Sequence, residues 1–118
     1  IKAIQAMADN IKKGGKVVLD FLNAKKVVNE LLENESKTVD NIQFTIKRSF
    51  KNGFILKDIY FIDKQQFHFQ EKVQALSLSD FKDLFEKSGL KIINLWGDYS
   101  LNDFNVIHSP RLIILAQK

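Results

Sequence analysis

The sequence predicts an α/β fold that carries an antiparallel meander in its middle. Three observations point there. The run Val17-Val18-Leu19-Asp20-Phe21-Leu22 is apolar on both faces apart from Asp20 and lies between two segments of helical period, as a strand in a helix-covered sheet does. From Asn41 to Leu76 the pattern changes to alternation around Asn52-Gly53, the signature of a hairpin. The chain then ends in two more apolar runs, Lys91 to Trp96 and Leu112 to Ala116, joined by a loop far longer than a hairpin needs.

Each element follows from its own residues. Ile1 to Lys12 places Ile4, Met7, Ala8 and Ile11 on one helical stripe, and Gly14-Gly15 supplies the stop. Ala24 to Glu33 reads as a second helix with Val27, Val28, Leu31 and Leu32 inward. The polar stretch Asn34 to Asp40 reads as a loop and is the only internal boundary. In the meander, Ile42, Phe44 and Ile46 face one way, and Gln43, Thr45 and Lys47 face the other. Asn52-Gly53 suits a two-residue turn, because both positions need positive φ, and it sets Arg48 opposite Lys57 and Lys47 opposite Asp58. A second turn at Asp63-Lys64-Gln65, if odd in length, sets Phe61 against Phe67, Ile59 against Phe69 and Lys57 against Glu71. An even loop would turn two phenylalanines onto a mostly polar face. The apolar face of this three-stranded meander, residues 41–76, therefore carries a charged row of Arg48, Lys57 and Glu71, expected to face the helices. Glu71 is expected to join the two cations as a partly buried partner. In the last helix Ser77 can N-cap, with Asp80 as a weaker form of the capping box where Glu or Gln is usual, Leu76 and Phe81 sit at staple spacing, and Gly89 ends the element.

Composition narrows the function classes. A chain of 118 residues, 45% of them hydrophobic, is expected to be one domain with a core of its own. There is no Cys, hence no disulfide, thiolate nucleophile or Cys-based metal site. No apolar run approaches the roughly 20 residues of a membrane span, and no leader pattern is seen. The sequence opens at Ile1, inside an amphipathic pattern and without Met, which is the expectation for a trimmed piece of a cytoplasmic protein. Net charge is +4, but all of the 18 basic residues except Arg48 and Arg111 are lysines scattered among acids, which argues against a nucleic-acid surface. His68 falls on the polar face of the meander, and with His108 it lacks metal-ligand spacing. His108 and Ser109 beside Asp98 or Asp103 do not make a hydrolase triad, because adjacent residues seldom reach each other as nucleophile and base and no nucleophile elbow is present.

The order of several pieces carries a family resemblance. These are the helix into Gly14-Gly15-Lys16-Val17-Val18-Leu19-Asp20, the strand Phe69-Gln70-Glu71-Lys72-Val73, the helix ending Lys87-Ser88-Gly89-Leu90, and Gly97-Asp98-Tyr99 followed by Ser109-Pro110-Arg111-Leu112-Ile113. Together they resemble the C-terminal half of class I S-adenosylmethionine-dependent methyltransferases. Lys13 stands where that family usually has Pro. The family's glycine-rich loop and the acidic residue that hold the cofactor have no counterpart here, so no cofactor-binding residue is expected in this chain.

The resemblance implies a doubly wound, Rossmann-like sheet of seven strands in the intact protein. This chain would give the last three strands, the final one antiparallel between its partners, with the meander as an insertion before the last helix. It also implies a transferase that binds S-adenosylmethionine and a small-molecule methyl acceptor, with no metal. Substrate-binding candidates are Asn23 at the mouth of the site, Arg48 and Glu71 on the meander, Asp98 and Tyr99 at the opening of the long loop, and His108 near its end. The chain alone is expected to be inactive and to self-associate, with the Val17 to Leu22 strand at an open edge. The alternative is a stand-alone α+β binding module whose ligand face is the meander.

Overall fold

A computed structural model describes residues 2–118; Ile1, the first residue of the expected helical stripe, lies outside them. The elements run α1 Lys2–Asn10, β1 Lys16–Leu22, α2 Ala24–Asn29, β2 Asn34–Val39, β3 Ile42–Lys51, β4 Phe54–Asp63, β5 Gln65–Gln74, α3 Leu78–Lys87, β6 Lys91–Trp96 and β7 Arg111–Gln117. They form two compact units. One joins the stretch up to Lys26 with Leu76–Lys118, and the other is Val27–Ala75.

The first unit is a three-stranded sheet in the order β1-β7-β6. Strand β7 is antiparallel to both neighbours, so β1 and β6 run parallel to each other, as the resemblance implies. Alternation decides which side chains of β7 enter the core: Leu112, Ile114 and Ala116 are buried with Ile4 and Ala8 of α1 and Phe81 and Phe85 of α3. Phe21 of β1 meets Phe81 edge to face, with ring centroids 5.1 Å apart. Helix α3 starts where its capping box says it should: the Ser77 hydroxyl accepts from the Asp80 amide at 3.1 Å, and the Asp80 carboxylate accepts from the Ser77 amide at 2.9 Å. It ends at Gly89, whose φ of +74° is a left-handed value that glycine reaches without strain. Strand β1 is not enclosed by the sheet. It lies at an edge, and Val18 on its outer face is 61% exposed.

The second unit is a four-stranded antiparallel sheet, β2-β3-β4-β5. Both predicted registers are present. Arg48 pairs with Lys57 and Lys47 with Asp58 across the Asn52-Gly53 turn, where φ is +53° and +81°. Phe61 pairs with Phe67, Ile59 with Phe69 and Lys57 with Glu71 across a turn centred on Lys64. The aromatic rings of this face form a ladder: Phe61 lies 4.9 Å from Phe44 and 4.8 Å from Phe67, centroid to centroid.

Three expectations are corrected. The segment Asn34 to Asp40 is not a loop, since Asn34–Val39 forms an edge strand and makes the meander four-stranded. Asp40 and Asn41, at φ of +51° and +65°, are the turn that returns it to β3. The second helix stops at Asn29 rather than Glu33, and Leu32, expected inward, is 54% exposed. Glu71 is not the partner of Arg48. The Arg48 guanidinium bonds to Glu35 on the added strand at 2.9 Å, and Glu71 is exposed with no ion pair among the described residues. Register put Glu71 in the charged row, but Glu35 on β2 reaches Arg48 first, and the hydrogen bond from the Arg48 guanidinium holds the Glu35 carboxyl below its usual range.

Phe85 is fully buried. Phe85→Ala is expected to destabilise the chain by about 3–5 kcal/mol, through lost burial and the cavity left behind. A fall of under about 1 kcal/mol in denaturant unfolding would show that this core is not the one that holds the fold.

Candidate functional site

Because β1 and β6 run parallel, their carboxyl ends lie at the same end of the first unit. That end is where ligands bind in open α/β sheets. Asn23 follows β1 directly, the loop 97–110 leaves β6 there, and Arg111 opens β7 there. Four of the six sequence candidates, Asn23, Asp98, Tyr99 and His108, are thus gathered by topology. Arg48 and Glu71 lie on the four-stranded sheet of the second unit.

The loop is a built structure. Gly97 donates to the Asn102 carbonyl at 2.8 Å and accepts from the Arg111 amide at 2.9 Å, which closes the loop at its base. Gly97 is itself buried, and a Cβ there would collide with Ser109, meeting its Oγ and lying 2.6 Å from its Cβ. Ser109, also buried, accepts from the Asn105 amide through its hydroxyl at 2.7 Å. Asp98 caps the first turn. Its carboxylate takes the Ser100 and Asn102 amides and the Asn102 side chain, and the Asn102 side-chain bond leads in holding its carboxyl below the usual range.

Asn23 turns inward rather than toward the mouth. It is 3% exposed, and its Nδ2 donates to the Ser109 carbonyl at 2.8 Å and the Val106 carbonyl at 3.0 Å. A buried amide with both protons matched to loop carbonyls is a strong latch, because breaking it strands polar atoms away from water. The His108 side chain is exposed; its backbone amide is held by Asn105 Oδ1 at 3.0 Å.

Two residues that matter here were not singled out in the sequence. Asp20 and Arg111 share the outer face of the sheet on neighbouring strands, and Arg111 Nε donates to Asp20 Oδ1 at 2.9 Å. The other carboxylate oxygen accepts from the Tyr99 hydroxyl at 2.7 Å. The Tyr99 bond leads in drawing the Asp20 carboxyl below its usual range, and the same bond raises the Tyr99 hydroxyl above the usual tyrosine range. A lowered acid is destabilised as pH falls through its folded value, and a raised phenol as pH rises past its ordinary value. The clasp is therefore at full strength from about pH 4 to about pH 10. The signal in the sequence was Asp20 itself, the single polar residue in an apolar strand.

A groove lies elsewhere, on the second unit. About 670 Å³ in volume, it sits mainly on the polar face of the four-stranded sheet, beside Gln43, Thr45, Tyr60, Gln66 and His68, and none of the six candidates lines it. His68 there is bonded to Asp58 at 2.8 Å and stacked on Tyr60. No group of three or more metal-ligating side chains occurs among the described residues. Every glycine has structural employment. Gly14 and Gly15 bridge to Lys118, Gly53 makes the hairpin, Gly89 ends α3 and Gly97 packs on Ser109.

Comparison with known proteins agrees with the architecture. No protein-family profile and no curated protein sequence matches the chain. Among solved structures it is similar to an S-adenosylmethionine-dependent methyltransferase from Clostridium acetobutylicum, at 18% identity and a TM-score of 0.75, covering 98% of this chain and 49% of that one. It is also similar to the CcbJ methyltransferase from Streptomyces caelestis, at 12% identity and a TM-score of 0.73, covering 97% and 50%. A third is an amino pentose methyltransferase from Micromonospora echinaspora, solved with S-adenosylmethionine bound, at 12% identity and a TM-score of 0.61, covering 98% and 48%. The fold is that of part of an S-adenosylmethionine-dependent methyltransferase, and the chain spans about half the length of the structures it matches.

Gly97→Ala is expected to cost about 1–3 kcal/mol, because the added methyl has no room beside Ser109. Thermal unfolding followed through the adjacent Trp96 would show it; an unchanged midpoint would mean that the loop base is not closed as described.

Proposed function

We propose that this chain is the C-terminal, acceptor-side half of a cytoplasmic S-adenosylmethionine-dependent methyltransferase. In that reading β1, β6 and β7 are the last three strands of a seven-stranded, doubly wound sheet, and the four-stranded sheet is an insertion before the last helix. The observation that carries the reading is the loop 97–110. It is latched by Asn23 at the carboxyl ends of two parallel strands, in a fold shared with half of several methyltransferases.

Methyl transfer from a sulfonium is a direct displacement, so holding the acceptor in line supplies much of the rate. Such a half needs shape and hydrogen bonds more than a catalytic triad. Asp98, Tyr99 and His108 offer polar groups on the loop, and Asn23 holds the loop in place. Arg48 and Glu71 are candidates for acceptor contact from the four-stranded sheet. The methyl acceptor is a small molecule; the aminosugar substrate named for one similar structure makes amino sugars the first acceptors to assay. The cofactor cradle is assigned to the other half of the enzyme, and this chain alone is inactive. The alternative, a binding module without catalysis, is favoured by the groove beside Tyr60 and His68.

Calorimetry with the 118-residue chain should show no micromolar affinity for S-adenosylmethionine. A protein carrying these residues together with a glycine-loop half should bind it and methylate an acceptor. Micromolar binding by this chain alone, or no methyl transfer across an acceptor panel by the larger protein, would overturn the assignment.

The open edge of β1, with Val18 exposed beside it, is expected to drive self-association of the chain. Light scattering should report a dimer or larger species that Val18→Lys weakens; a monomer at high concentration contradicts it.

A further inference from the structure

Tyrosine in a folded protein usually buries its ring and leaves its hydroxyl near water. Tyr99 does the reverse. The residue is 72% exposed, while its hydroxyl is tied at 2.7 Å to Asp20. The anchor is rigid, because Asp20 lies within β1 and is bonded on its other oxygen to Arg111, the first residue of β7. The loop side is rigid as well, since Asp98 immediately before Tyr99 accepts three hydrogen bonds from its own turn. The ring is therefore fixed at both ends while it faces solvent. An exposed, immobilised aromatic ring costs hydrophobic burial, and preorganised aromatic rings of this kind are what binding surfaces use as anchors.

We infer that Asp20 and Arg111 are positioning residues for Tyr99, holding its ring as a platform on which the neutral ring face of a small-molecule ligand lies. The inference deepens the acceptor-side reading of the loop and rests on it. Charge selects the ligand chemistry. The Asp20 carboxylate and the Arg111 guanidinium face each other at 2.9 Å and balance, so the cluster favours neither an anion nor a cation. Beside this balanced pair, Tyr99 presents its ring to solvent, 72% exposed. An aromatic ring or the C–H face of a saturated ring meets these requirements, and two probes separate them.

The test uses the 118-residue chain with ¹³C-labelled tyrosine rings. There are two tyrosines, so Tyr99→Phe assigns the signals. Phenol represents the aromatic face and methyl β-glucoside the saturated face. Tyr99 should shift saturably in the millimolar range with at least one probe while Tyr60 stays still. Asp20→Asn should weaken that probe by about fivefold or more. It should also bring the Tyr99 ionisation, followed by ultraviolet absorbance, down to the ordinary tyrosine range, and leave the thermal midpoint nearly unchanged. Should Asp20→Asn fail to fold, Tyr99→Phe keeps the ring and frees it, and saturation transfer to the probe should show the same weakening. The inference is overturned if neither probe gives a saturable shift at Tyr99, or if the positioning variant binds as tightly as the parent. No S-adenosylmethionine is present, so failure here is separate from failure of the methyl-transfer assay.

Discussion

Strand β7 is hydrogen-bonded along both edges, and the first unit depends on that. It is the last strand in sequence and the middle strand in space, so the sheet is held together by residues at the far end of the chain. Its inner side chains, Leu112, Ile114 and Ala116, are at most 2% exposed and form the floor on which α1 and α3 pack. Inserting it antiparallel between β1 and β6 leaves those two strands parallel, and this fixes where the candidate site stands. Everything that closes the loop 97–110, from Asn23 to Arg111, is within reach because the ends of these three strands coincide.

The loop adds a second constraint. A hairpin joining β6 to β7 needs only a few residues, and this connection has many more. Two latches hold the extra length. The Asn23 latch is buried and its protons are fully matched, so it sets the course of the loop. The Asp20 clasp is exposed to water and to salt, so it orients one side chain more than it stabilises the fold. Keeping these roles on different residues allows the ring of Tyr99 to be placed without the loop depending on it.

Much of this was legible in the sequence, for identifiable reasons. Asn52-Gly53 and the need to keep Phe67 and Phe69 beside Phe61 and Ile59 are strong local terms, and they gave the register of three strands to the residue. The capping box and Gly89 bounded α3 in the same way. Strand β2 was hidden because an edge strand of polar residues has no alternation to read, and Asp40-Asn41 is a weaker turn signal than Asn-Gly. The charged row was correct in register and wrong in pairing for the same reason: Glu35 belongs to the strand that was missed. At the site, Asn23 and the Gly97-Asp98-Tyr99 segment were visible through the resemblance. The Asp20 clasp was not, since its partners lie 79 and 91 residues away and no local pattern joins them.

The pairing of β1 with β7 also has a consequence in time. Lys16 lies opposite Gln117, so β1 can pair with β7 only after the whole stretch between them has been made. The four-stranded sheet between them is built only of consecutive hairpins. Short-range contacts close fast and long-range ones slowly. On a ribosome the hairpins can therefore assemble before β7 is there to pair with β1. During that interval the edge of β1 that β7 will cover stays open, and shielding such edges is work for chaperones.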